Sequence, residues 1–178
     1  MTELCAIALG SNLSSTIGDP EKIVQAAIAQ LSTLPEIEVV RVSRWYRTKA
    51  IVLPNADPQP DYINGCAVLR TSLPPLQLLQ ALFYTEQIFG RERRERWGAR
   101  TLDLDLLLYG DRVLDKPELV LPHPRMGDRA FVLLPLAEIA ADWIHPIYQM
   151  PISELAKNPP DIDLSHPIAI DTEVLALS

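Results

Sequence analysis

The pattern of apolar and polar positions divides the first 110 residues into strand and helix segments. Short apolar or β-branched runs predict strands at 4–9, 37–48, 62–71 and 102–109. Apolar residues at helical spacing predict helices near 20–33 and from about 74 to 90. The order β-α-β-β-α-β is the ferredoxin-like arrangement of the α+β class, and a different α+β layout is the alternative.

The last third of the chain predicts additions to this core rather than a second domain. A short run at 118–121 predicts a strand of a C-terminal hairpin, and 128–140 predict a helix bent or offset near Pro135. Residues 157–178 hold three prolines and few periodic features, so we expect a domain over 1–156 and an irregular tail over 157–178.

The segment 49–61 also holds three prolines and shows no clear period. It therefore predicts a loop between two strands. A loop of this length inside a compact domain is often functional.

Composition and charge narrow the class of protein. The 178 residues carry a formal net charge of −7, which argues against a nucleic-acid partner, because such proteins neutralise phosphates and are usually basic. No apolar run approaches the roughly 18 residues of a membrane span, and no basic segment precedes the apolar N-terminal run. We therefore expect no membrane association, no signal peptide and a cytoplasmic location. Cys5 and Cys66 lie in apolar surroundings, which predicts buried reduced thiols.

The charge is unevenly distributed along the chain. Residues 91–100, RERRERWGAR, contain five arginines against two glutamates. An Arg/Glu run is commonly a solvated loop. A cationic segment in an acidic protein also favours a small anionic ligand, because the planar arginine fork matches phosphate oxygens.

Two aspartates follow the arginine segment on the last predicted strand. Strand alternation places Asp103 and Asp105 on one face, with their α-carbons roughly 6.5–7 Å apart. The core face then holds Leu102, Leu104, Leu106 and Leu108. The pair is either a solvated strand face or a site where a cation compensates the repulsion. Mg²⁺ takes carboxylate oxygens and substrate phosphates, so the neighbouring arginines favour a metal–triphosphate site.

Other polar residues are candidates for ligand contacts. His123 lies between two prolines and either donates to a phosphate or packs in a loop. Tyr62 and Asn64 share a strand face, and the Asn64 amide either binds a heterocycle or packs at the strand end. Trp97 is either a ligand contact or a core residue. The sequence contains no Walker A phosphate loop, no GxGxxG and no HExxH.

These residues fall within segments that match a known family in order along the chain. The segments are ALGSNL at 8–13, WYRT at 45–48, PDYINGCAVL at 60–69, GRERRERWGARTLDLDLLLYG at 90–110 and LPHPRMGDRAFVLLPLAEIA at 121–140. In these motifs the chain resembles the 6-hydroxymethyl-7,8-dihydropterin pyrophosphokinases of folate biosynthesis. The loop 49–61 departs from the family pattern, which often has a proline and then a glycine after Thr48.

The resemblance implies a ferredoxin-like fold and a defined reaction. The pterin hydroxymethyl oxygen attacks the β-phosphorus of ATP, diphosphate is transferred and AMP leaves. The partners are then ATP and the pterin, and we expect a monomer.

The resemblance also implies roles for individual residues. The implied catalytic residues are Arg91, Arg100, Asp103 and Asp105. The implied ATP contacts are Glu86, Arg93, Trp97, His123 and Arg129. The implied pterin contacts are Thr48, Tyr62, Asn64, Trp97 and Phe131. Asp103 and Asp105 would bind two Mg²⁺ ions.

Two rival functions share some of these features. A nucleotidyl transferase also uses paired aspartates and two metals, but its acceptor attacks the α-phosphorus and pyrophosphate leaves. A non-catalytic ferredoxin-like module that binds a ligand or RNA would tolerate the loss of Asp103 with little change in binding.

Overall fold

The fold is an antiparallel sheet with helices packed on both faces. The structure, a computed structural model, describes residues 1–90, 99–158 and 167–170. The strands are β1 (Glu3–Ser11), β2 (Ile37–Val42), β3 (Trp45–Thr48), β4 (Tyr62–Thr71), β5 (Asp103–Tyr109), β6 (Leu114–Lys116), β7 (Leu119–Leu121) and β8 (Ile168–Ile170). The helices are α1 (Pro20–Leu31), α2 (Pro75–Ile88), α3 (Ala130–Ala140) and α4 (Ile152–Lys157). In the ranges described, no helix is both long and apolar enough to cross a membrane.

The strand order confirms the predicted ferredoxin-like topology. β1 lies between β5 and β4, and both β2 and β3 pair with the far side of β4. These neighbours are all antiparallel. The predicted C-terminal hairpin is β6–β7, and the helix predicted near 128–140 is α3, with Pro135 inside it.

Two apolar clusters cover the two faces of the sheet. On one face, side chains of β1 and β4 such as Ile7 and Leu69 pack against α1 and α2. On the other face, Ala6, Cys66 and Val68 pack against α3 and α4. Cys5 and Cys66 are buried and free, as predicted. Burial is the main cause that raises the pKa of Cys5 to about 12, and burial also raises the pKa of Cys66.

The segment predicted as one strand over 37–48 is two strands, so that prediction is wrong at Ser43 and Arg44. The Ser43 hydroxyl accepts the backbone N–H of Cys66 at 2.9 Å and donates to the carbonyl of Arg44. The N–H of Arg44 donates to the Glu138 carboxylate on α3 at 3.0 Å. Side chains therefore satisfy backbone groups that a regular ladder would pair, and the strand breaks there.

A bulge in β5 also overturns one face assignment. Ile7 is opposite Leu106 and Ala6 is opposite Leu108, so Leu107 is an extra residue on β5. Leu102, Leu104 and Leu106 share the α1/α2 face as predicted, but Leu107 and Leu108 pack on the α3/α4 face. The bulge shifts the alternation by one residue after Leu106.

The expectation of an irregular tail is wrong for three of its residues. Residues 168–170 form β8, which pairs antiparallel with β3, with Trp45 opposite Ile170. Ile170 packs against the α1/α2-side core. The short apolar run Ile-Ala-Ile pairs with the free edge of β3. A run of three residues is too short for strand alternation to reveal it. The boundary at residue 156 stays a prediction.

Candidate active site

A cleft of about 370 Å³ opens at the end of the sheet near the start of α3. Its floor is the sheet itself, because Ala8 and Gly10 of β1 lie in register with Asp105 and Asp103 of β5. The two aspartates therefore lie on one strand face, as predicted, and both line the cleft. Small residues opposite them leave the space above the carboxylates open.

Gly10 is required at its position by a close neighbour on β4. A Cβ built on Gly10 would lie 2.5 Å from Oδ1 of Asn64, much closer than real Cβ atoms approach. Asn64 is 8% exposed, and its amide donates to the Thr48 hydroxyl at 2.6 Å. Together with Tyr62, these side chains form a polar wall beside the carboxylates.

Arg100 brings a cation next to the aspartate pair. Its guanidinium lies 3.2 Å from the Asp103 carboxylate, and the arginine side chain is 24% exposed. Its backbone is fastened to the end of β1, since its carbonyl accepts the N–H groups of Asn12 and Leu13 at 3.0 and 3.2 Å. The charge of Arg100 is therefore held at the carboxylate face of the cleft.

His123 approaches the cleft from the other edge of β5. It follows the cis peptide bond between Leu121 and Pro122, and its N–H donates to the carbonyl of the bulge residue Leu107 at 2.9 Å. Its Nδ1 accepts the N–H of Arg125 at 3.1 Å, so the neutral ring carries its proton on Nε2.

The environment of His123 favours the neutral ring. Burial lowers its pKa to about 4, with further lowering by the charges of Arg129 and Arg125, against a smaller opposing effect of Asp103. A neutral imidazole with an Nε2 proton is a hydrogen-bond donor for a phosphate oxygen.

The start of α3 supplies the remaining wall of the cleft. Arg129 is the residue before the helix, and its guanidinium carbon lies 5.5 Å from the centre of the Phe131 ring. Both side chains line the cleft together with Val132. The site therefore has an aromatic face next to a cation, close to a helix N-terminus whose dipole favours anions.

Most of the residues singled out from the sequence meet in this cleft. Those that line it are Thr48, Tyr62, Asn64, Arg100, Asp103, Asp105, His123, Arg129 and Phe131. The predictions for Arg91, Arg93 and Trp97 lie outside the described residues.

Glu86 is placed differently from the other predicted residues. It is 2% exposed on α2 and does not line the cleft. Its carboxylate accepts the N–H of Leu104 at 2.8 Å, between the two aspartates in sequence. The structure thus shows Glu86 supporting the strand that carries the pair, and its predicted contact with ATP stays a prediction.

Sequence reasoning missed several residues of the cleft. Lys49, Ile51 and Arg125 line it, and Ala8 and Gly10 form its floor. The sequence pattern predicts Ala8 within the strand at 4–9 and assigns no role in the site to Gly10. Alternation along β1 gives the signal, because Ala8 and Gly10 share a face opposite Leu9.

The donor set of the site fits a magnesium ion. The described residues contain no group of three or more His, Cys, Asp or Glu side chains that could enclose a metal. Two carboxylates on one open face are nevertheless a suitable partial set for Mg²⁺, which keeps waters and takes its other ligands from substrate phosphates.

Comparison with known proteins finds relatives over most of the chain. A sequence from Synechocystis sp. named 2-amino-4-hydroxy-6-hydroxymethyldihydropteridine pyrophosphokinase is 53% identical over 140 residues, covering 79% of this chain and 68% of the relative. The Haemophilus influenzae protein of the same name is 43% identical over 151 residues, covering 85% and 89%.

A solved structure shares the fold at low sequence identity. The HPPK-DHPS of Plasmodium falciparum with pteroate aligns with a TM-score of 0.66 at 13% identity, covering 89% of this chain. This chain spans 42% of that longer protein. The model of the family described as 7,8-dihydro-6-hydroxymethylpterin-pyrophosphokinase (HPPK) matches residues 6–141, and the chain belongs to that family.

Proposed function

We propose that this protein transfers diphosphate from ATP to the hydroxymethyl group of 6-hydroxymethyl-7,8-dihydropterin in folate biosynthesis, releasing AMP. The observation that carries the proposal is that two chemically different surfaces line the same cleft. A carboxylate pair with adjacent cations suits a metal-bound triphosphate, and a polar wall facing Phe131 suits a flat heterocycle. Membership in the pyrophosphokinase family supports this assignment.

The metal would be held by Asp103 and Asp105, which share a face and line the same cleft. Two Mg²⁺ ions are proposed, because each carboxylate can supply a ligand to one ion while the phosphates and waters complete the coordination. When bound, Mg²⁺ neutralises negative charge on the triphosphate and orients it.

The triphosphate would lie among the cations of the cleft. Arg100 and Arg129 donate to phosphate oxygens, and the neutral ring of His123 donates through Nε2. His123 is held in place before ATP binds, because its backbone N–H donates to the carbonyl of Leu107 at the bulge of β5. Fixed donors stabilise charge that develops on the phosphates without first reorganising. Arg91 and Arg93 are proposed to contribute in the same way.

The pterin would occupy the wall formed by Thr48, Tyr62, Asn64 and Phe131. The Phe131 ring stacks on the heterocycle, and the Asn64 amide matches its donors and acceptors. Trp97 is proposed to add a second aromatic face.

In this arrangement the hydroxymethyl oxygen forms a bond to the β-phosphorus and loses its proton. The bond between the β-phosphorus and the bridging oxygen to the α-phosphorus breaks, and AMP leaves with that oxygen. The chain contributes alignment of the two substrates and stabilisation of charge on the leaving group. The loop 49–61 closes over the pterin and excludes water.

Product analysis separates this function from both rivals. The protein is incubated with ATP, Mg²⁺ and the hydroxymethyl pterin, and products are identified by phosphorus NMR and chromatography. One equivalent of AMP per diphosphorylated pterin is expected, and none without pterin. Pyrophosphate release instead would identify a nucleotidyl transferase. A protein that binds pterin and forms no product would be the non-catalytic module. The cytoplasmic location and the monomeric state stay predictions.

A further inference from the structure

Asn12 does not line the cleft, but it connects two segments whose residues do. Its Oδ1 accepts the N–H of Arg100 at 2.8 Å. Its Nδ2 donates to the carbonyl of Pro60 at 3.1 Å and to Oε1 of Gln59 at 3.3 Å. One buried amide, 2% exposed, thus joins the end of β1, the loop 49–61 and the segment before β5.

The chemistry of these contacts fixes the orientation of the amide. The N–H of Arg100 requires an acceptor, and the carbonyl of Pro60 requires a donor. Only an amide offers both groups at this size, since a carboxylate has no donor and an aliphatic side chain has neither. Asparagine is therefore specified by its partners on both sides.

The two segments serve different parts of the cleft. Arg100 contacts the Asp103 carboxylate at 3.2 Å, on the side proposed for the metal and triphosphate. Pro60 comes two residues before Tyr62, on the side proposed for the pterin. A displacement of either segment changes the hydrogen bonds of Asn12, because its side chain contacts both.

We propose that Asn12 is a positioning residue that couples binding of the nucleotide to binding of the pterin. The proposal rests on the proposed function for the identity of the two ligands. Engagement of the triphosphate fixes Arg100, Arg100 fixes Asn12, and Asn12 fixes the end of the loop that borders the pterin. Each ligand then orders part of the site of the other, which is a coupling between sites and must be reciprocal.

The substitution Asn12→Asp separates the two sides of this linkage. The variant keeps an oxygen acceptor for the N–H of Arg100. It replaces the Nδ2 donor with an oxygen that faces the Pro60 carbonyl and the Gln59 side-chain oxygen. Contact with the loop is lost, whereas contact with Arg100 is retained.

The readout is the Kd of 6-hydroxymethylpterin, measured by fluorescence with and without α,β-methylene-ATP and Mg²⁺. The ratio of the two Kd values is the coupling factor. We expect Asn12→Asp to reduce this factor roughly tenfold, since a buried donor–acceptor contact is exchanged for a repulsive one. The Kd of the nucleotide analogue alone should change less than about threefold. A coupling factor equal to that of the wild type, or a wild type without coupling, would overturn the proposal.

Thr71→Val is the matched control for lost stability. Thr71 is 1% exposed at the opposite end of β4, donates to the Glu36 carbonyl at 2.7 Å and accepts the N–H of Leu73. Its loss should lower the melting temperature but leave the coupling factor unchanged. An equal reduction in both variants would reveal a merely structural effect and overturn the proposal.

Two further measurements keep the test decisive. If Asn12→Asp does not fold, Gln59→Ala removes one of the two loop-side contacts of Asn12 and keeps its contact with Arg100, and we expect a reduction of roughly threefold in the coupling factor. An unchanged factor in that variant contradicts the proposal.

In Asn12→Ala, hydrogen exchange of the Arg100 amide should accelerate at least about tenfold, because its acceptor is gone. Unchanged exchange would overturn the linkage. This test holds even if the wild type binds no pterin, since absence of pterin binding by itself would contradict only the proposed function.

Discussion

The two faces of the central sheet are covered to different extents. On the α1/α2 face, apolar packing continues to the end of the strands, where Leu9 and Leu104 are 1% exposed. On the other face, α3 and α4 cover Ala6 and Val68 but leave the strand ends beside Asp103 open to the cleft. Charged groups can stay hydrated on the open part, whereas an unpaired charge under the helices would be costly. The chemistry therefore depends on the open part of one face, whereas the other face is apolar to the ends of its strands.

The largest expected effect comes from the open face. Asp105→Ala should reduce turnover at least about a thousandfold, because it removes a ligand for the metal that orients the triphosphate. The free energy of unfolding should change by less than about 1 kcal/mol, since the side chain lies in the cleft rather than in the core. The assay is the initial rate of AMP formation together with a urea denaturation curve.

Asp115→Ala provides the control for this change. Asp115 is an exposed carboxylate on β6 and does not line the cleft. It should retain full turnover. Retained turnover in Asp105→Ala would mean that the metal assignment is wrong.

The covered face should show the reverse pattern. Leu82 on α2 is completely buried, so Leu82→Ala should cost about 2–5 kcal/mol of unfolding free energy through lost burial and a cavity. The kcat/KM of the folded fraction should stay within about twofold of the wild type. Leu76, 37% exposed on the same helix, is the control, and its change to Ala should cost less than about 0.5 kcal/mol. A large loss of kcat/KM in folded Leu82→Ala would contradict the separation of the faces.

Two glycines on opposite faces sharpen the comparison. A Cβ on Gly10 would meet Asn64 in the cleft at 2.5 Å, and a Cβ on Gly65 would meet the Trp45 ring in the core at the same distance. Each change to Ala should cost about 1–3 kcal/mol by overpacking. Only Gly10→Ala should raise the pterin KM, roughly tenfold, since it displaces Asn64. Similar KM values in the two variants would argue against Asn64 as a pterin contact.

The titration of His123 tests the electrostatics of the open face. In the protein without nucleotide or metal, NMR should find its pKa near 4, below the ordinary 6.5, because the ring is buried near Arg129 and Arg125. The unfolded chain then binds the His123 proton more readily than the folded protein does. The free energy of unfolding therefore decreases as the pH falls from 6.5 towards 4, by at most about 1.4 kcal/mol per pH unit. His123→Gln should remove that contribution. A measured pKa above 6.5 would contradict the buried neutral ring.

Much of the fold was predictable because burial imposes a period on the sequence. The helix predicted near 20–33 was confirmed as α1, which begins after Asp19, whose carboxylate accepts the N–H of Lys22 at 3.1 Å. The failures occurred where side chains replace backbone pairing. Nothing in the apolar pattern reveals that Ser43 would bind the Cys66 N–H or that Leu107 would bulge, because both depend on partners distant in sequence.

The site was predictable in its charged residues rather than in its small ones. Asp103 and Asp105 stood out because aspartate is rare in strands. Gly10 and Asn12 did not, because glycine and asparagine are ordinary turn residues and their roles depend on contacts with Asn64 and Arg100. The contact of Glu86 with the backbone of β5 was not predictable either, because its partner Leu104 lies 18 residues away in sequence.

The bulge at Leu107 divides β5 into two parts with different freedom to vary. In the part before the bulge, the residues opposite Ala8 and Gly10 can be substituted without loss of the fold. The leucines on the other face of the strand already fill the core. After the bulge, Leu108 and Tyr109 are buried on opposite faces and can change only with their neighbours. Removal of the extra residue Leu107 would restore regular alternation, because Leu106 and Leu108 already lie on opposite faces. A one-residue deletion at a regular position of β5 would instead exchange the faces of all residues on one side of it. Substitutions in the cleft are therefore tolerable for the fold, whereas length changes at the regular positions of this strand are not.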